Sequence, residues 1–88
     1  MLSAVVLIEA RPDRVADLAQ SLVELDGISE AYSVTGECDL VAMVRVKEHD
    51  DLADVVTHGI AKLEGIVRTR TLVAFRVYRD ADFDWELT

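Results

Sequence analysis

The chain carries one cysteine, two histidines and one proline, and aromatic residues make up only 6% of its 88 positions. A single cysteine, Cys38, excludes an intrachain disulfide and fits a reducing compartment. It has no basic neighbour in sequence to activate it, so it reads as an inert thiol rather than a nucleophile. His49 and His58 show no metal-ligand spacing with each other or with Cys38, and neither a metal nor a cofactor is expected. Basic residues are scarce: nine Lys and Arg stand against 17 Asp and Glu, for a formal net charge of −8. That sign opposes phosphate backbones, where affinity comes from cations that displace counterions, so direct nucleic-acid binding is not expected. Long hydrophobic runs are missing too, which argues against a membrane span. Met1 to Ala10 lacks a basic lead-in and runs into Glu9, unlike a signal peptide. These absences together point to a cytoplasmic protein with neither membrane nor DNA as its partner.

What the chain does have is aliphatic side chains. Its hydrophobic fraction is 51%, high for one small domain. A domain of this size is marginal alone and commonly gains core by oligomerising.

The most informative stretch is Val34-Thr35-Gly36-Glu37-Cys38-Asp39. Strand-forming residues flank it, Ile28 to Val34 before and Leu40 to Val46 after, so a β-hairpin is predicted. Gly36 at the first central position suits a two-residue II′ loop, Gly36-Glu37. That loop pairs Thr35 with Cys38, Val34 with Asp39, Tyr32 with Val41 and Ala31 with Ala42. Asp39, Tyr32, Val41 and Met43 then share one face, and Leu40, Ala42, Val44 and Val46 the other.

Elsewhere, Ser3 to Ala10 reads as a strand apolar on both faces. Pro12 and Asp13 suit a first helical turn, and Val15, Leu18, Ala19, Leu22 and Val23 recur at helical spacing over Asp13 to Leu25. Asp50 or Asp51 is the expected cap of a second helix with the stripe Leu52, Val55, Val56, Ile60 and Leu63. A last strand is expected from Ile66 to about Tyr78. Residues 1–78 form the domain on this reading, and 79–88 an acidic tail carrying Phe83 and Trp85.

An internal repeat organises these elements. Leu25-Asp26-Gly27-Ile28 matches Leu63-Glu64-Gly65-Ile66, 38 residues later. Strand-helix-strand thus occurs twice, which gives an α+β, ferredoxin-like βαββαβ fold with a four-stranded antiparallel sheet. The aliphatic row from Leu40 to Val46 faces the helices. The opposite face, with Tyr32, Val34, Val41 and Met43, is an apolar patch expected to pack against a second subunit. Asp39 projects toward that face, and a carboxylate there is expected at the rim of the interface rather than buried.

Ser33-Val34-Thr35-Gly36-Glu37-Cys38-Asp39-Leu40, the following helix and Gly65-Ile66-Val67-Arg68-Thr69-Arg70-Thr71 resemble the effector-binding (RAM) domain of Lrp/AsnC transcription regulators, from about Val5 to Tyr78. The chain opens on a strand where that family usually has a helix-turn-helix, so a stand-alone effector domain is expected. The resemblance implies a two-fold dimeric α/β barrel, a homodimer that builds higher rings, and an amino acid or similar small effector held between subunits. It implies main-chain groups from Thr35, Gly36, Glu37 and Cys38, the carboxylate of Asp39, and hydroxyls of Thr69 and Thr71 at the site, with Tyr32 at its border or in interface packing. An α-ammonium wants an anionic acceptor and an α-carboxylate wants N–H and hydroxyl donors, so the residue types fit. A full-length regulator of the family is the further partner implied.

Each residue also has a plain structural reading: Asp39 as a turn-capping side chain, Gly36 as a turn former, Thr69 and Thr71 as strand threonines. Arg68, Arg70 and Arg76 share one strand parity and pair most simply with the surplus of acids. His58, four residues after Asp54, reads as a helix-surface pair. A non-enzymatic role is expected. A cofactor-independent monooxygenase on the same barrel, a pure oligomerisation module and an ACT-type amino-acid-binding domain are the alternatives from other classes.

Overall fold

The computed structural model describes residues 1–80; Phe83 and Trp85 lie outside the described residues. β1 (Leu2–Ala10) alternates strictly from Ala4 onward, with Ala4, Val6, Ile8 and Ala10 buried and the residues between them half-buried. A short 3-10 turn (Pro12–Arg14) leads into α1 (Val15–Val23), and β2 (Ile28–Ser33) and β3 (Leu40–Val46) form the hairpin. α2 (His49–Asp54) runs on through a π turn (Val55–Gly59) and a 3-10 turn (Ile60–Lys62) to β4 (Ile66–Val73). The sheet order is β2-β3-β1-β4, every pairing antiparallel. This is the ferredoxin-like βαββαβ arrangement that the repeat predicts.

The core lies between one sheet face and the helices. It holds Val6, Ile8, Leu40, Ala42 and Val44 from the central strands, Leu18 and Leu22 from α1, and Leu52 and Ile60 from the second helical segment. Burying each larger aliphatic side chain contributes about 1.5–3 kcal/mol, which is the main drive to this packing. Val55, Val56 and Leu63 pack on the cluster's margin as their spacing predicts. Val23 does not: it is 46% exposed, because α1 ends there and the stripe finishes at Leu22.

The structure departs from expectation at several boundaries. The hairpin's last backbone bond runs from the Val34 N–H to the Asp39 carbonyl (3.0 Å), and residues 35–38 form an open loop with no Thr35–Cys38 backbone bond. Ala31–Ala42 and Tyr32–Val41 pair as predicted, yet the ladder shifts between Ile28 and Glu30. Continuous register would set Ile28 opposite Arg45; the bulge at Ser29 sets it opposite Val44 instead, on the core face. α1 begins at Val15 rather than Asp13, since Pro12 and Asp13 wind a 3-10 turn first. The second helix starts two or three residues earlier than expected: Glu48 is its N-cap, and Asp51 acts from the third helical position by accepting the Glu48 N–H at 3.1 Å. β4 ends at Val73, not Tyr78: its last pair with β1 is Val73 with Ala4, and the Ala74 N–H still reaches the Ser3 carbonyl. Arg76 therefore leaves the sheet and lies 5.9 Å from the Phe75 ring.

The two repeat glycines share a backbone state, φ 92° at Gly27 and φ 101° at Gly65, each turning the chain from helix to strand. At Gly65 an added Cβ would lie 2.7 Å from the Cβ and Cγ of Arg14, whereas at Gly36 (φ 118°) it would meet nothing within 4 Å. Gly36→Ala should therefore cost only the left-handed conformation, about 1–2 kcal/mol. Gly65→Ala should add crowding of about 1–3 kcal/mol to the same term. Urea denaturation of both variants checks the order; equal losses would show that Arg14 moves freely.

Candidate functional site

The sheet's uncovered face has apolar rows at its centre. Tyr32, Val41 and Leu7 stand in register, as do Met43, Val5 and Leu72. Leu72 is 55% and Tyr32 46% exposed, so these rows lack cover in a single chain. The Tyr32 hydroxyl donates to Glu30 Oε2 at 2.7 Å. That bond, some desolvation and the charge of Glu30 hold the phenol above its ordinary pKa.

At the end where β2 and β3 are joined, the rows become charged. Glu9 stands opposite Arg68, and Arg70 opposite Leu7. Arg68 Nε lies 3.1 Å from Glu9 Oε2, and Arg70 Nη2 lies 3.8 Å from Glu37 Oε2, so the loop reaches across β1 to β4. Leu7, Glu9, Glu37, Cys38, Arg68, Thr69 and Arg70 line a cleft of about 240 Å³. A second, larger hollow of about 470 Å³ lies at the opposite end, among Asp26, Arg45, Lys47 and His58, and none of the predicted residues lines it.

Asp39 has a definite task in the fold. Leu40 pairs with Ile8, and the Asp39 N–H also reaches the Ile8 carbonyl at 2.9 Å, so two residues of the incoming strand face one of β1 in the manner of a bulge. β3 has no backbone left to pair with Ala10. The Asp39 carboxylate supplies the missing acceptor, with Oδ2 2.8 Å from the Ala10 N–H. The register expected Asp39 on the uncovered face at the rim of an interface; in the structure its carboxylate turns to the end of β1.

The other predicted residues divide. Glu37, Cys38 and Thr69 border the cleft. Thr35 and Gly36 are exposed in the loop but do not line it. Thr71 pairs with Val6 on the helix-covered side, and Thr69 with Ile8 on that same side, both half-buried. Tyr32 stands in the row of Leu7 and Arg70 but on β2, at the far edge of the sheet from Arg70, and does not line the cleft. His58 Nδ1 lies 3.5 Å from Asp54 Oδ1 on the surface, the helix-surface pair that the spacing predicts.

The Lrp/AsnC ligand binding domain matches residues 3–82. The chain belongs to this family. This Lrp/AsnC domain is 52% identical to a solved protein from Thermus thermophilus, TTHA0845, covering 91% of this chain and all of that one at a TM-score of 0.85. It is 28% identical over 61 residues to the HTH-type transcriptional regulator LrpA of Pyrococcus abyssi, 69% of this chain and 43% of that regulator. It is also 28% identical, at a TM-score of 0.76, to a feast or famine regulatory protein from M. tuberculosis complexed with L-methionine, covering 92% of this chain and 54% of that one. The chain thus spans about half the length of the curated regulators it matches.

Glu9, Arg68 and Arg70 are the cleft residues that sequence reasoning passed over as surface pairs. The available signal was Glu9 itself, a lone carboxylate in a strand otherwise aliphatic from Ala4 to Ala10, with two arginines, Arg68 and Arg70, sharing one parity of β4.

Removing the Asp39 acceptor should leave the Ala10 amide unpaired. Asp39→Ala is expected to lower stability by about 1–3 kcal/mol, while Asp39→Asn, which keeps a carbonyl acceptor, should lose under half of that. Equilibrium unfolding in urea measures both; equal, negligible losses would show that water replaces the carboxylate without cost.

Proposed function

We propose that this chain is an amino-acid-binding regulatory domain that works as a homodimer and in higher rings, and that it does not itself bind DNA. One observation carries the reading: the uncovered apolar rows of the sheet end in a cleft of two arginines and two glutamates beneath the Thr35–Cys38 loop. The rows suit a second sheet, since covering apolar surface gains roughly 25 cal/mol per Å² before association costs. The charged end suits a zwitterion. N–H groups of Glu37 and Cys38, with Gly36 beside them in the loop, would take the α-carboxylate. The second oxygen of Asp39 would accept the α-ammonium. With a partner sheet over the same face, Tyr32 would come from, or border on, the neighbouring subunit, whereas Thr69 and Thr71 stand on the helix-covered side.

The family and the L-methionine complex of a relative support this reading. So does the charge of −8, which disfavours a DNA contact by the domain alone. Regulation of transcription then passes through assembly with a full-length Lrp/AsnC-type regulator in the cytoplasm. No catalytic constellation enters the reading, and the helix-facing row of β3 is aliphatic throughout, which disfavours the monooxygenase alternative.

Light scattering at micromolar concentration should give a dimer or a multiple of it. Val41→Asp, which sets a charge in the middle of the apolar row, should yield a folded monomer. A parent protein that is monomeric would refute the assembly. A thermal-shift screen of amino acids should raise the melting temperature for a subset only; no shift with any of them would leave an oligomerisation module. Gel shifts with duplex DNA should stay blank at sub-micromolar protein.

A further inference from the structure

The cleft is narrow in what it can accept. Its volume of about 240 Å³ lies below the roughly 300–1,000 Å³ of pockets that take drug-sized ligands, so it suits a single small metabolite. Leu7 is the one aliphatic side chain in its lining, and four charged side chains surround it. A long apolar side chain would lie against guanidinium and carboxylate groups and strip their water without replacing it.

The two ion pairs are unequal. Glu9 and Arg68 are within hydrogen-bonding reach at 3.1 Å and are cross-strand partners, so each is occupied by the other. Arg70 is different. Its closest Glu37 oxygen is 3.8 Å away, too far for a hydrogen bond. Glu37 sits on the exposed loop with its side chain 93% accessible, whereas Arg70 is fixed on β4. A guanidinium has five N–H donors in a planar fork that matches a carboxylate. Arg70 is therefore a cation held loosely by a counter-ion that can swing away.

We propose that the cleft selects an acidic amino acid, with Arg70 binding its side-chain carboxylate and Glu37 acting as the displaceable competitor for that arginine. The proposal rests on the effector-binding reading above, in which the loop end takes the α-groups. From there the side chain of the ligand runs over Leu7, which stands opposite Arg70 in the ladder, and ends at the guanidinium. Arg68 adds positive potential beside it without leaving Glu9. The negative charge of the rest of the chain is screened beyond about 8 Å at physiological salt, so the local balance decides.

The test compares ligands that differ in charge and hardly in shape. Titration calorimetry on the full chain with L-glutamate, L-aspartate, L-glutamine and L-methionine should rank glutamate or aspartate first, about tenfold or more above glutamine. Arg70→Gln should erase that preference while retaining the weaker glutamine binding. Glu37→Gln should tighten glutamate binding by roughly two- to fivefold, because it removes the competitor and leaves the main-chain N–H groups in place. Both side chains are exposed, and matching melting curves would confirm that the variants fold. Tighter binding of glutamine or methionine than of either acidic ligand would overturn the proposal and leave effector binding intact. So would an Arg70→Gln variant that keeps the preference, or a Glu37→Gln variant that weakens it. Absence of binding by every ligand, in a screen extended to the remaining amino acids, would sink the effector reading and this inference together.

Discussion

β1 is hydrogen-bonded along both edges, and that constraint shapes the rest of the molecule. It pairs with β3 over Leu2 to Ile8 and with β4 over Ala4 to Ala10. Each partner therefore covers a different length of it. At one end β4 stops with Val73, once Ser3 has accepted its last N–H from Ala74. At the other, β3 starts too late to serve Ala10, and a buried residue with an unpaired amide is costly. The Asp39 carboxylate meets that amide. The same side chain fixes where the hairpin loop leaves the sheet, so one hydrogen bond sets both the end of the core and the wall of the cleft.

Symmetry between the halves of the chain stops at the level of the turns. Gly27 and Gly65 perform the same left-handed turn into a strand, yet they are hemmed by different neighbours, Val55 and Val46 in one case and Arg14 in the other. The helices between differ more. α1 is regular, whereas the second segment passes from α through π to 3-10 geometry. The π turn spaces Val55 and Val56 from Ile60 so that Leu52 and Ile60 are both buried. A Cβ added to Gly59, which closes that turn, would lie 3.3 Å from a methyl of Leu25. The absence of a side chain at Gly59 leaves room for Leu25, which follows α1, to pack against the second segment there.

Much of the fold was legible because the signals were redundant. The aliphatic row Leu40, Ala42, Val44 and the repeated Leu-acid-Gly-Ile each imply the same element order, and the structure has that order. What escaped was set by tertiary pairing. Nothing local marks Ser29 as a bulge; it forms because Ile28 gains a place in the core. Asp50 and Asp51 are better intrinsic caps than Glu48, but the chain from β3 enters the helix two or three residues earlier. The candidate site was half visible. The loop residues stood out as a motif, whereas Glu9, Arg68 and Arg70 come together only once β4 lies beside β1. Thr69 and Thr71 kept the strand parity assigned to them, and that parity puts them opposite Ile8 and Val6, on the covered side.

Charge in this protein is therefore better understood by place than by total. The acids outnumber the bases by eight, and most of them are spread over solvent-facing helix and loop positions where pairs are worth at most about 1 kcal/mol. In the cleft the count is two against two, Glu9 and Glu37 facing Arg68 and Arg70. A site balanced in this way holds no strong field of its own when empty. It is divided instead into a settled pair on adjacent strands and a loose pair that spans loop and strand. The settled pair joins β1 and β4 just before their register shifts between Glu9 and Ala10. The loose pair can exchange one partner without disturbing the ladder, because the Arg70 backbone is held by Leu7's strand and Glu37 by a loop whose single glycine, Gly36, has open space around it. Adaptability is thus confined to one side of the cleft, and the rigid side is the edge of the sheet.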